Sequence, residues 1–213
     1  MSIICPTILA KDEADYKQQI EKVASFAKRI QIDLKDNIFA KGESMPLEKV
    51  WWPEGMEADI HVMYENPQDY LATLIKLKPN MVIVHAESTC DIPKLAADLR
   101  DQGIKTGLAI LQDTSIKEVK YIFPHIQHLL IFSGDLGHFG GTADMSLTNK
   151  ITEAKAAHKY LEIGWDGGIT ADNAKKLAKA GVDVLNVGGA IQNAQNPQEA
   201  YAKIEASMTD RGD

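Results

Sequence analysis

Short β-branched or apolar runs alternate with longer polar-faced segments from end to end of the chain, the pattern of a parallel sheet with crossover helices. The candidate strands are Ile3 to Leu9, Arg29 to Lys35, Ala58 to Met63, Met81 to Glu87, Thr106 to Leu111, His128 to Ser133, Leu161 to Asp166 and Val182 to Gly188. Between them lie segments with apolar residues at three- and four-residue spacing, such as Tyr70, Leu71, Leu74, Ile75 and Leu77, or Ala174, Leu177 and Ala178 with Gly181 as the stop. The second gap differs: Asp36 to Pro53 contains Gly42, Pro46 and Pro53, which predicts a long loop with only a short helix. Eight units of about 27 residues fill the 213-residue chain. That count predicts an α/β fold of one domain, a (β/α)8 TIM barrel over residues 1–208 with a frayed polar tail at 209–213, in preference to an open doubly wound sheet.

Composition narrows the partners. Thirty acidic against 23 basic residues give a net charge of -7, the wrong sign for a surface that tracks a phosphate backbone, so nucleic acid is not the expected partner. Two cysteines, Cys5 and Cys90, build neither a disulfide framework nor a zinc ribbon and read as reduced thiols. The N-terminus carries no basic leader, and no apolar run approaches the roughly 18 residues of a membrane span. A cytoplasmic protein without a membrane partner is expected.

In such barrels the chemistry sits where strands end and βα loops begin. Strand two reads Gln31-Ile32-Asp33-Leu34-Lys35-Asp36, and its period of two puts Gln31, Asp33 and Lys35 on one face. With Ile32 and Leu34 against helices, that polar face points inside. Strand three places Asp59, His61 and Met63 on a shared face, so His61, Asp33 and the Asp166 that ends strand seven could share one cation. Asp166-Gly167-Gly168 after strand seven and Gly188-Gly189 after strand eight allow backbone N–H groups to approach an anion closely, at the usual phosphate corner of a barrel. A third pair, Gly140-Gly141 behind His138 and Phe139, follows strand six and could close over the same phosphate.

These residues resemble the ribulose-phosphate 3-epimerase family over nearly the whole chain. The family's Pro-Ser-Ile-Leu-Ser-Ala-Asp is similar to Pro6 to Asp12, its His-x-Asp-x-Met-Asp-Gly to Gln31 to Asn37, and its Asp-x-His-Leu-Met to Asp59 to Met63. Its Phe-His-x-Glu resembles Val84 to Glu87, its Gly-Phe-Gly-Gly-Gln resembles His138 to Thr142, and its Asp-Gly-Gly-Ile and strand-eight Gly-Ser resemble Asp166 to Ile169 and Gly188-Gly189. The resemblance implies inversion at C3 of a ketopentose phosphate, by default D-ribulose 5-phosphate, through a cis-enediolate. Asp33 and Asp166 would be the proton-transfer pair and also ligands of a divalent metal, zinc or similar, with His61 as the third ligand. Thr7 would take the hydroxyl position near the sugar, and Gly140, Gly141, Gly167, Gly168, Gly188 and Gly189 would line the phosphate site. No organic cofactor is implied, and relatives of this fold are commonly homo-oligomers.

Several positions depart from the family pattern. Gln31 stands where the family has its fourth metal ligand, a His, and a glutamine carbonyl is a neutral and weaker donor. Lys35 stands where the family has Met, and an ammonium there either replaces the metal's charge, partly or wholly, as a catalytic group or turns outward to a salt bridge with Asp36 or Glu87. His138 replaces the first glycine of the phosphate loop, as a cation near the phosphate or simply an exposed histidine. Asp33-x-Lys35 also resembles the Asp-x-Lys-x-x-Asp of the decarboxylase branch, but Ile38 occupies the last position and the motif belongs on strand three there. A non-catalytic sugar-phosphate-binding barrel is the reading from another class. Trp51 and Trp52 are candidates for an interface, a loop cover or an irregular core segment.

Overall fold

In the computed structural model, which describes residues 2–209, eight parallel strands close into a barrel in sequential order. The strands are β1 (Ile3–Ile8), β2 (Arg29–Lys35), β3 (Glu57–Met63), β4 (Met81–His85), β5 (Lys105–Ile110), β6 (His128–Phe132), β7 (Glu162–Asp166) and β8 (Val184–Val187), and β1 pairs with β8 to complete the ring. Around them run α1 (Glu13–Val23), α2 (Leu71–Leu77), α3 (Ile92–Arg100), α4 (Ile116–Val119), α5 (Asn149–Ala157), α6 (Ala171–Ala180), α7 (Gly189–Gln192) and α8 (Pro197–Thr209). The gap between β2 and β3 holds only a 3-10 turn, Leu47–Lys49, as its glycine and prolines require. Thr209 closes α8 instead of opening the predicted tail, and the rest of that tail lies outside the described residues. Among the described residues no helix is long and apolar enough to cross a membrane.

The larger core lies between sheet and helices, where outward residues such as Ile30, Ile32, Leu34, Ile60 and Val62 meet Ile20, Leu74, Leu95 and Leu177. Inside the barrel the filling is lopsided. Met81, Ile83, Ala109 and Leu130 make a dry plug on the side of β4 to β6, while β2, β3 and β7 turn Gln31, Asp33, Asp59, His61, Glu162 and Asp166 inward. At the lower end Arg29 donates to Asp59 (2.7 Å) and bridges both oxygens of Glu162 (3.1 and 3.0 Å), which also meets His128 Nδ1 at 2.7 Å. Gly164 opens the space for that histidine: a Cβ there would stand 2.4 Å from His128 Nε2.

Desolvation pushes the Glu162 carboxyl upward, but the hydrogen bonds from His128 and Arg29 outweigh it and hold the group well below the usual carboxylate range. A depressed carboxyl contributes stability that is present above its unfolded value and is lost as pH falls through the folded one. Glu162→Gln is therefore expected to lower the melting temperature at pH 7, with a deficit that shrinks once pH falls below about 4. A deficit that stays constant from pH 7 to pH 3 in thermal unfolding would contradict this account of the ion cluster.

Candidate active site

The strand register brings the predicted side chains together. Asp33 on β2 is paired with His61 on β3, and Asp166 sits at the end of β7, three steps around the ring through β1 and β8. Their oxygen and nitrogen atoms lie within 4.8 Å of one another, close enough for a single cation. They floor a cavity of about 660 Å³, counting its open mouth, whose rim carries Thr7, His138, Phe139, Gly140, Gly141, Gly167, Gly168, Gly188 and Gly189. Every residue predicted for the sugar and phosphate thus lines one cleft. Gly168 and Gly188 show why glycine is needed on this rim. Gly168 has φ +68°, and a Cβ would stand 2.1 Å from the Ala143 backbone nitrogen; at Gly188 it would stand 2.5 Å from the Phe139 ring and 2.7 Å from Thr7 Oγ1.

Gln31 is fully buried below the carboxylates. Its Nε2 donates to Asp33 (2.9 Å) and Asp166 (2.6 Å), whereas its Oε1 has no hydrogen-bond partner. Desolvation and the neighbouring Asp33 charge push the Asp166 carboxyl up to about 7, against the smaller opposing effects of His61 and the Gln31 hydrogen bond. Two carboxylates sharing one amide, with a buried carbonyl unpartnered on that same amide, are a donor set that suits a cation: the charge would relieve the carboxylates and favour the carbonyl end of Gln31.

Lys35 does not line the cleft. Its Nζ donates to the carbonyl of Gly137 at 2.8 Å, tying the end of β2 to the loop after β6. It bonds to neither Asp36, whose carboxylate receives the amides of Ile38, Phe39 and Glu65, nor Glu87. Partial burial lowers the Lys35 pKa, opposed by the attraction of Asp33. His138 is exposed at the rim, its Nδ1 3.1 Å from the Leu136 carbonyl. Trp51 is 43% exposed on the long loop, stacked edge-on with Tyr16, while Trp52 packs against the core.

Two features escaped the reading of the sequence. Asn186, an inward amide on the otherwise apolar β8, lines the cleft with Nδ2 buried and unpartnered. The signal available was its polarity alone within Val182 to Gly188. Below the cleft wall, His61 Nε2 lies 2.9 Å from His85 Nε2, and His85 Nδ1 lies 3.3 Å from Glu87. The sequence places His85 and Glu87 in a family motif but cannot show what they touch.

The match to known proteins follows this geometry. Residues 3–192 fit the model of the ribulose-phosphate 3 epimerase family. The chain is 30% identical to the ribulose-phosphate 3-epimerase of Mycobacterium leprae, covering 95% of this chain and 93% of that one. It is 27% identical to the Bacillus subtilis enzyme of the same name, covering 96% and 98%. Among solved structures, KGPDC from Streptococcus mutans superposes with a TM-score of 0.69 at 11% identity, covering 98% of this chain and 97% of that one. 3-Hexulose-6-phosphate synthase from Salmonella typhimurium does so with a TM-score of 0.66 at 16% identity over 98% of both. These two likenesses establish the barrel alone. With the family model spanning all but the last turns of the fold and the family's acidic pair meeting on one cleft floor, the chain belongs to the ribulose-phosphate 3-epimerase family.

Proposed function

We propose that this protein is a ribulose-phosphate 3-epimerase, interconverting D-ribulose 5-phosphate and D-xylulose 5-phosphate. The observation that carries the reading is the approach of Asp33 and Asp166 from strands three steps apart to one cleft floor, beneath glycine loops. Inversion at C3 needs a base on one face of the carbon and an acid on the other. One carboxylate removes the C3 proton to leave an enediolate; the other, protonated, delivers its proton to the opposite face. The protonated and ionised members have then exchanged roles, ready for the reverse reaction.

Asp33, His61 and Asp166, with the Gln31 carbonyl as fourth donor, would hold a divalent cation, zinc or a similar metal. Such an ion supplies positive charge beside the two oxygens over which the enediolate spreads. The Gln31 amide and the Thr7 hydroxyl orient groups at the floor, and the main chain at Gly140, Gly141, Gly167, Gly168, Gly188 and Gly189, with Phe139 packed on Gly188, receives the phosphate. His138 at the rim adds a donor toward the phosphate. A cytoplasmic homo-oligomer is the setting we expect, with the exposed Trp51 as an interface candidate.

The test is proton NMR of D-ribulose 5-phosphate in deuterated water with added divalent metal. Loss of the C3 proton together with appearance of xylulose 5-phosphate is expected; binding of the sugar phosphate without exchange would favour a non-catalytic barrel instead. The lysine-dependent reading has its own discriminator. Because the Lys35 amine is engaged on the carbonyl of Gly137 and does not itself line the cleft, Lys35→Met should leave kcat within about tenfold of the parent and act mainly on KM by loosening the loop after β6. A loss of about a thousandfold in kcat would make Lys35 a catalytic group.

A further inference from the structure

A chain of hydrogen-bonding groups runs from the cleft floor into the barrel wall. Asp33 Oδ1 lies 2.9 Å from His61 Nδ1, His61 Nε2 lies 2.9 Å from His85 Nε2, and His85 Nδ1 lies 3.3 Å from Glu87 Oε2. Both rings are fully buried, stacked with centroids 5.0 Å apart, and Phe39 and Phe132 pack against them. The far end is held by several further hydrogen bonds. Glu87 also accepts from the Leu111 amide (2.9 Å) and the Thr114 hydroxyl, and Lys150 Nζ ties down the carbonyls of Leu111, Gln112 and Thr114.

Counting protons along this chain gives a definite answer. With Asp33 and Glu87 both ionised, as metal-bound Asp33 would be, its two ends accept and do not donate. Three links therefore need three ring protons, and two neutral imidazoles carry two. A divalent cation at the Asp33 end would remove the shortage: held by His61 through the Nδ1 lone pair, it would leave that link needing no proton. The two remaining links are then satisfied in one way only. His61 donates from Nε2 to His85 Nε2, and His85 donates from Nδ1 to Glu87.

We propose that His85 and Glu87 are positioning residues that fix the tautomer of His61, so that its Nδ1 lone pair faces the cation site. Glu87 sets the tautomer of His85, and His85, left with a bare Nε2, sets that of His61. The assignment rests on the metal reading given above and goes beyond it, since neither residue reaches the cleft. Ligating histidines depend on such outer partners for ring orientation, and losing the partner weakens metal binding about 10- to 100-fold.

Two experiments test it, with zinc alone as the probe. Long-range nitrogen–proton NMR of the zinc-loaded protein should show His61 protonated at Nε2 and His85 at Nδ1; either ring in the opposite tautomer overturns the proposal. In chelator competition, His85→Leu should bind zinc about tenfold or more weakly, while His85→Gln, whose carbonyl replaces the accepting nitrogen, should recover to within about threefold. Equal zinc affinity of His85→Leu and the parent, or a Gln variant as weak as Leu, rejects the role. A parent protein that binds no zinc fails the metal reading itself, and this inference with it, whereas zinc bound with the opposite tautomers fails only the inference. Because the tautomer measurement uses the unmutated protein, a variant that does not fold leaves the question decidable.

Discussion

Asp166→Asn is expected to lower the interconversion of ribulose and xylulose 5-phosphates by about 10³- to 10⁴-fold, the upper range for removal of one general acid/base. In the proposed reaction Asp166 and Asp33 act on opposite faces of C3, so an enzyme with one of them can still remove a proton from the epimer that presents it to the surviving carboxylate. It then has no acid to complete inversion. The amide keeps a carbonyl toward the cleft floor and an N–H₂ that can meet Gln31 or Asp33 in place of the carboxylate pair, so the barrel should fold. Residual proton exchange in deuterated water should accordingly be confined to one epimer, and Asp33→Asn should confine it to the other. If both variants exchanged the same epimer, or if Asp166→Asn interconverted the two sugars within tenfold of the parent, the two-face assignment would be wrong.

The parts of this arrangement differ in how far the chain order alone discloses them, and the differences have physical causes. The barrel is legible because its strands and helices have distinct periods, and because β2 runs Arg29–Lys35 in the structure as the alternation requires. The acidic pair and His61 are legible because a charged residue inside a closed barrel has no solvent to face, which makes each inward Asp or His conspicuous. Strand ends are less so: β4 stops at His85 and β8 covers only Val184–Val187, since pairing with neighbours and not residue type decides where a strand ends. Lys35 shows the limit most clearly. Its backbone lies on the inward face, yet four methylenes carry the amine to Gly137, 102 residues away in sequence, and no periodicity predicts that endpoint. The His61–His85 contact is hidden for a related reason. It joins neighbouring strands at positions fixed by register, and only the three-dimensional pairing shows two imidazoles nitrogen to nitrogen. The Arg29–Glu162 bridge at the lower end is hidden likewise, by a separation of 133 residues.

Gln31 is the departure from the family pattern with the most direct consequence for metal binding, and Gln31→His should raise zinc affinity on the order of 100-fold. An imidazole is a stronger donor to zinc than an amide carbonyl, and the two acidic neighbours at 2.9 and 2.6 Å already face the position. The same substitution should have the opposite effect when zinc is removed by chelator. The wild-type amide gives one N–H to each carboxylate, holding Asp33 and Asp166 together against their mutual repulsion; a neutral imidazole has a single N–H and can serve only one. The variant should thus melt below the wild type in chelator and above it in zinc, a crossing of sign that a general loss or gain of packing would not produce. Equal zinc affinities for the two proteins would instead make position 31 a hydrogen-bond donor to the carboxylates and no ligand, leaving Asp33, His61 and Asp166 to hold the cation by themselves.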